Sequence, residues 1–173
     1  MASLGHVAIG MATARWRGRG SRGALAPSML LWSLLSLSPD IDVLGFAWGI
    51  RYGDPWGHRG ATHSFVFAGA VGLCAGLLAR RARWPALGTA LAAALVLASH
   101  PLLDILTDGG RGCALFWPFS DARHFAPVRP IPVAPIGFGF LSARGLRVAL
   151  FELALFSPLL MYACWPRRAG ARA

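Results

Sequence analysis

Lysine is missing from the 173 residues, acids number seven, and only 14% of the chain is charged. A soluble domain carries closer to about a quarter charged residues. With 55% hydrophobic residues and a positive mean hydropathy, this deficit argues against a water-exposed globule. Cysteine is scarce as well. Cys74, Cys113 and Cys164 sit far apart, two of them inside apolar runs, which excludes a disulfide frame or a thiolate metal site and leaves packing roles. The first apolar stretch, 2–14, has no basic residue before it, so no cleavable signal peptide is expected. It is also shorter than the roughly 20 residues a span takes, and reads as a short helix packed into a bundle. No internal repeat is evident, and the length fits one membrane-embedded domain over 1–173 with a basic tail at 167–173.

The charge that is present has one dominant sign, +10 at pH 7, all of it from arginine. A GC-rich genome accounts for that choice better than any chemical requirement. A basic chain can bind nucleic acid. Here, however, the arginines gather just outside apolar segments: Arg15, Arg17, Arg19 and Arg22; Arg80, Arg81 and Arg83; Arg167, Arg168 and Arg172. That is the pattern of the positive-inside rule, so membrane topology is preferred over nucleic acid as its cause.

Apolar runs cover 24–37, 43–50, 62–79, 84–106 and 146–165, while 107–143 holds five of the twelve prolines and reads as irregular. The strong runs 62–79 and 84–106, joined by the basic link 80–83, predict an antiparallel hairpin. The fold class expected is all-α: a helical integral membrane bundle with about three to four spans, short helices, and a long irregular loop between the last two spans. Trp16, Trp84 and Trp165 mark segment ends, as interface residues do. The segments 15–23, 80–83 and 166–173 hold ten of the seventeen arginines. That face is therefore expected to be cytoplasmic in a bacterial inner membrane, with the polar motifs near the extracytoplasmic face.

Those motifs hold four of the five histidines: His6; Pro39-Asp40-Ile41-Asp42; His58-Arg59-Gly60-Ala61-Thr62-His63-Ser64; and His100 with Asp104. Imidazoles and carboxylates are the ligand set of zinc and other divalent metals. An ionisable group at a helix centre costs roughly 2.5–3.5 kcal/mol on insertion scales, and a bound cation would offset this. His100 and Asp104, at i and i+4, share a helix face; the alternative is a His–Asp hydrogen bond in the core, with Pro101 free to kink the helix. Asp40 and Asp42 follow a helix-ending proline, and one can ligate while the other caps the helix or takes a second ion. His58 and His63 flank Arg59, whose planar fork suits a phosphate or, in the alternative, a lipid headgroup. Ser64 lacks a Gly-x-Ser-x-Gly context and is discounted as a nucleophile. His6 alone would be a satisfied core histidine, but the shared side of the bundle raises it to a candidate ligand. Glu152 is open to three roles: ligand, partner of a ligating histidine, or partner of Arg147. Asp121, Arg123 and His124 read as a headgroup-facing loop, and Asp54 shows no evident partner.

Together these clusters resemble the membrane-bound metal-dependent hydrolase family, also described as YdjM/YbcI-like or LexA-binding inner-membrane-associated hydrolases. The resemblance rests on His6, Ser38-Pro39-Asp40-Ile41-Asp42, His58 to Ser64, His100 with Asp104, Trp117-Pro118-Phe119-Ser120 and Phe125-Ala126-Pro127-Val128, and runs to about residue 136. It implies a remote relation to zinc-dependent phospholipase C and hence phosphoester hydrolysis. It makes His6, Asp40, His63, His100 and Asp104 the metal ligands, with Asp42 and His58 next. The sequence carries no further His/Glu cluster in its C-terminal third beyond Glu152. The expected function is a metal-dependent hydrolase of phosphoesters, such as lipid-linked phosphates, using a water activated by a divalent metal, zinc by preference. Asp42 would take the water's proton and Arg59 would hold the phosphate. The expected partners are membrane lipids, a small-molecule or lipid phosphoester, and a regulatory protein, with nucleic acid disfavoured. The alternative is a non-enzymatic membrane protein with a structural metal, whose basic cytoplasmic face binds a protein or nucleic acid. A metal transporter would want ligands spread through the membrane depth, whereas these gather at one face.

Overall fold

The computed structural model describes residues 3–18 and 24–166. Arg19, Arg22, Arg167, Arg168 and Arg172, part of the topology argument, lie outside the described residues. The chain is all-helical: α1 Ser3–Arg17, α2 Leu25–Leu37, α3 Phe65–Arg81, α4 Ala86–Asp104 and α5 Ala143–Cys164. Three 3-10 helices, Ser38–Trp48, Ala61–His63 and Gly137–Leu141, fill parts of the connections. The long connection between α4 and α5 has isolated bridges at Thr107–Ile131 and Cys113–His124 and no other extended pairing among the described residues. The proline-rich stretch is irregular, as its sequence predicts.

Among the described residues three helices are long and apolar enough to cross a membrane: Leu25–Trp48 with 24 residues, Ala86–Asp104 with 19 and Ala143–Cys164 with 22. Two of the apolar runs differ from their sequence reading, and the one that forms α3, with 17 residues, is not among these three. The pieces 24–37 and 43–50 join into one continuous helical span, because Pro39 falls in the first turn of the 3-10 segment, where its missing N–H is tolerated. The run 62–79 is shortened. Ser64 accepts from the Phe67 N–H at 3.0 Å and so caps α3, leaving Thr62 and His63 in a separate 3-10 turn. The α3–α4 hairpin is present, and its link turns at Arg83 with φ 59°.

The central element is α1, which packs against α2, α4 and α5. Its buried face is Gly5, Ala8, Gly10, Ala12 and Ala14 with His6, and side chains this small let three helices approach closely. Large apolar side chains point outward, Leu87 at 73% and Leu95 at 67% exposed among them, while histidines and carboxylates fill the interior. This inversion suits lipid as solvent. Arg15 bonds the carbonyl of Trp165, and Arg17 bonds the carbonyl of Gly88 and the hydroxyl of Thr89. These contacts gather the end of α1, the start of α4 and the end of α5 at one pole, opposite His6, His100 and Asp104.

At Gly10 an added Cβ would run into the backbone of Ser33 and the carbonyl of Trp32. Gly10→Ala should therefore destabilise the detergent-purified protein by about 1–3 kcal/mol and Gly10→Val by more, read as a falling Tm. An unchanged Tm in Gly10→Val would remove close α1–α2 packing as a feature of the fold.

Candidate metal centre

Four segments deliver the polar residues to one point. Asp40 and Asp42 come from the 3-10 end of the first span, and His63 from the turn before α3. His100 and Asp104 occupy the last turn of α4, and His6 the start of α1. His6, His63, His100 and Asp104 have no exposed surface; Asp40 and Asp42 retain 8% and 7%.

The donor spacing fits a shared cation. His63 Nε2 lies 3.5 Å and His100 Nε2 3.4 Å from Asp40 Oδ1. The same nitrogens lie 3.6 and 3.9 Å from Asp104 Oδ2, and His6 Nε2 is 3.5 Å from Asp104 Oδ1. Bonds of about 2.0–2.2 Å to a tetrahedral ion put neighbouring donors about 3.3–3.6 Å apart. One ligand atom each from Asp40, His63, His100 and Asp104 falls within a 4.8 Å cluster. Both oxygens of Asp40, Nε2 of His63 and of His100, and both ring nitrogens of His6 are buried without a hydrogen-bond partner. Buried polar atoms left so are costly, and these converge. Among the described residues three carboxylates, Asp40, Asp42 and Asp104, are buried against one buried guanidinium, that of Arg59, an excess of negative charge that a divalent cation would offset. The cluster is compatible with a divalent metal site.

An outer layer sets each ring. His100 Nδ1 lies 2.7 Å from the carbonyl of Ser36, which fixes Nδ1 as the protonated nitrogen and leaves Nε2 its lone pair. That carbonyl is available in part because Pro39, three residues on, brings no N–H to it. Asp42 holds the 58–63 segment. Its Oδ1 is 2.7 Å from His58 Nδ1, while Oδ2 accepts from the Arg59 amide at 3.1 Å and the Thr62 hydroxyl at 2.7 Å. His63 Nδ1 lies 3.1 Å from the same Oδ2. Arg59 sits at φ 64° and is 1% exposed. Its Nε is 3.0 Å from Asp104 Oδ2, and its terminal nitrogens donate to the Gly109 carbonyl at 3.0 Å and Thr107 Oγ1 at 3.1 Å. Gly110, at φ +89°, has no room for a Cβ beside Arg59 and the Tyr52 hydroxyl.

Several residues have surroundings other than the sequence suggested. Neither Asp40 nor Asp42 supplies the cap of the 3-10 segment, whose N-cap is Leu37. The lone pairs of Asp42, expected to accept a proton, are engaged by donors from the 58–63 segment. Arg59 meets neither headgroups nor open solvent, because Asp104, Thr107 and Gly109 enclose its guanidinium. His58 faces Asp42 at hydrogen-bond distance, with Asp40 Oδ1 farther at 3.8 Å. Arg123 is structural: it donates to the carbonyls of His58, Tyr52 and Asp54 and pins the loop beneath the centre. Asp54 Oδ2 accepts from the Arg51 amide at 2.8 Å. Glu152 Oε2 accepts from the Leu4 amide at 2.6 Å. Thr62, Thr107 and the Ser36 carbonyl were missed from sequence; the first two lie beside motif residues, while a backbone carbonyl leaves no sequence signal.

The YdjM inner membrane protein family matches residues 1–169. The chain belongs to that family. Inner membrane protein YbcI of Escherichia coli (strain K12) is similar to it, 41% identical over 160 residues that cover 87% of this chain and 91% of that protein. No solved structure matches the chain at a significant level. With its three candidate spans, this YdjM-family member is a multi-pass inner-membrane protein with a buried His/Asp centre.

Protonation differs between the histidines outside the spans. Burial, helped by the neighbouring His100, pushes His6 down to about 4 against the pull of Asp104. For His63, burial acts downward too, but Asp104, Asp40 and Asp42 outweigh it and the ring is pushed up to about 10. A cation ligated by His63 must displace that proton, so binding strengthens as pH rises and weakens as it falls. Zinc added to chelator-stripped protein near neutral pH should release about one proton per ion from this ring, with apparent affinity climbing between about pH 6 and 9. An affinity that is flat over that window would show that the metal displaces no proton from His63.

Proposed function

We propose that the chain is a membrane-bound, metal-dependent hydrolase of phosphoesters, with zinc as its metal and lipid-linked phosphates as its substrate class. The observation that carries this is the convergence of partnerless imidazole nitrogens and Asp40 oxygens at one buried point of an otherwise apolar bundle. That donor set suits zinc. The phosphoester class follows the family resemblance of the motifs, and the remote tie to zinc-dependent phospholipase C is proposed with it.

In this reading His6, Asp40, His63, His100 and Asp104 hold the ion. A bound divalent cation supplies Lewis acidity, which activates water and polarises a phosphoryl oxygen. The chain's own groups do the rest. Asp42 fixes His58 and His63, and the Ser36 carbonyl fixes His100. Arg59 sets Asp104 and supplies positive charge beside the reacting phosphate from within the wall rather than as an open grip. Asp40 has two oxygens without hydrogen bonds, and the one not turned to the ion is the group proposed to accept the water's proton. Its neighbours Ile41 and Leu44 are 63% and 53% exposed, which favours entry of a substrate from the lipid side. The centre is proposed to lie toward the extracytoplasmic face, a reading supported by Arg80 and Arg81 in the last turn of α3 and Arg83 in the link to α4, all exposed at the opposite pole.

Those three arginines also support a second reading, in which the metal is structural and the basic pole recruits a protein or nucleic acid. Elemental analysis of purified protein beside His63→Ala, His100→Ala and Asp104→Ala, followed by a panel of lipid and nucleotide phosphoesters, separates the two. The hydrolase reading expects metal in the parent protein, and loss of metal and of turnover together in the variants. Full hydrolysis with no bound metal would refute it. Partner binding that survives His100→Ala and weakens when Arg80, Arg81 and Arg83 are neutralised would favour the second reading.

A further inference from the structure

Glu152 is the only acid in α5, lies in a membrane span, and is 1% exposed. Isolated carboxylates at such depth are costly and need a specific reason. The first N–H groups of any helix lack intrahelical partners and carry a partial positive charge. The first turn of α1 contains no acidic residue of its own. Glu152 fills that role from another helix: Oε2 accepts from the Leu4 N–H at 2.6 Å, with the Ser3 and Gly5 amides alongside.

His6 lies two residues beyond Leu4. Its ring stacks on His100 with centroids 3.7 Å apart and planes inclined by 8°, and its Nε2 reaches Asp104 Oδ1 at 3.5 Å. Both contacts depend on the height and rotation of α1, since a slip of one residue moves a helix about 1.5 Å and turns it about 100°. At this end Phe156 and Leu103 pack against Gly5 and the Ser33 hydroxyl donates to the Val7 carbonyl at 3.2 Å, so Glu152 adds a charged anchor at the first turn to contacts that are apolar or neutral. Arg15 and Arg17 secure only the far end of α1.

We infer that Glu152 is a positioning residue for His6: by capping α1 from α5 it fixes the register of α1 and so holds the His6 imidazole in the cluster. The consequence for metal affinity rests on reading the cluster as a metal centre, and the test separates the two claims. Zinc affinity of detergent-purified, full-length protein is measured by chelator competition for the parent, Glu152→Gln, Glu152→Ala, His6→Ala and the His6→Ala/Glu152→Ala double variant. Carbethoxylation of His6 is timed by mass spectrometry in the parent and the two single Glu152 variants. Glu152→Ala should weaken zinc binding about tenfold and speed modification of the buried His6. Glu152→Gln, whose amide oxygen can still accept from Leu4, should do neither. In the His6→Ala background Glu152→Ala should add no further loss of affinity. The inference is overturned if Glu152→Ala weakens zinc binding equally with and without His6, because the carboxylate then acts on the bundle as a whole. It is also overturned if His6 modification is unchanged in Glu152→Ala. A parent protein that binds no zinc refutes the metal reading alone, and His6 protection then decides the positioning role.

Discussion

The structure turns on one electrostatic constraint: ionisable groups buried in an apolar bundle must be satisfied by one another, by the backbone, or by an ion. Asp42 satisfies it through side chains and an amide of the 58–63 segment, and Arg59 through Asp104, Thr107 and Gly109. Glu152 meets it at the N-terminus of α1. Most of what remains without a hydrogen bond is concentrated where Asp40, His6, His63 and His100 face each other, with Ser36 Oγ, His124 Nε2 and Glu152 Oε1 outside that point. The polar groups thus divide into a supporting layer that is largely hydrogen-bonded and an inner layer that is not, the division expected of a ligand sphere and its outer shell.

Close helix packing makes that division possible. With Gly and Ala along its buried face, α1 comes near enough to α2, α4 and α5 for side chains as short as Asp and His to meet from four segments. Outside, the same bundle presents leucine to the surroundings, so burial of the polar set and exposure of the apolar set have one cause. Lipid removes the drive to hide leucine and raises the cost of showing a carboxylate.

Much of the architecture was legible in the residues. Apolar runs bounded by arginine marked helix ends, the basic link of 80–83 marked a hairpin, and prolines marked the irregular stretch before α5. The ligand types could be read because Asp and His are rare in this chain, so each occurrence was informative. Boundaries were less legible. Pro39 reads as a break, yet at the first turn of a 3-10 helix it costs little, and the span continues to Trp48. Ser64 takes the cap of α3 and so shortens a run that hydrophobicity alone would extend back to Thr62.

Sequence by itself determined the inventory: which elements are helical, which end of each carries polarity, and which donors exist. Roles among those donors were decided only in three dimensions, because a role depends on what occupies each lone pair. Asp40 and Asp42 stand two residues apart with the same chemistry, yet one meets the hydrogen-bond donors of the 58–63 segment and the other meets none. Arg59 looks like an open phosphate grip until the loop after α4 folds over it, and Glu152 looks solitary until the start of α1 is laid against α5. Pairings of this kind span dozens of residues, carry no local periodicity, and arise only when the helices pack.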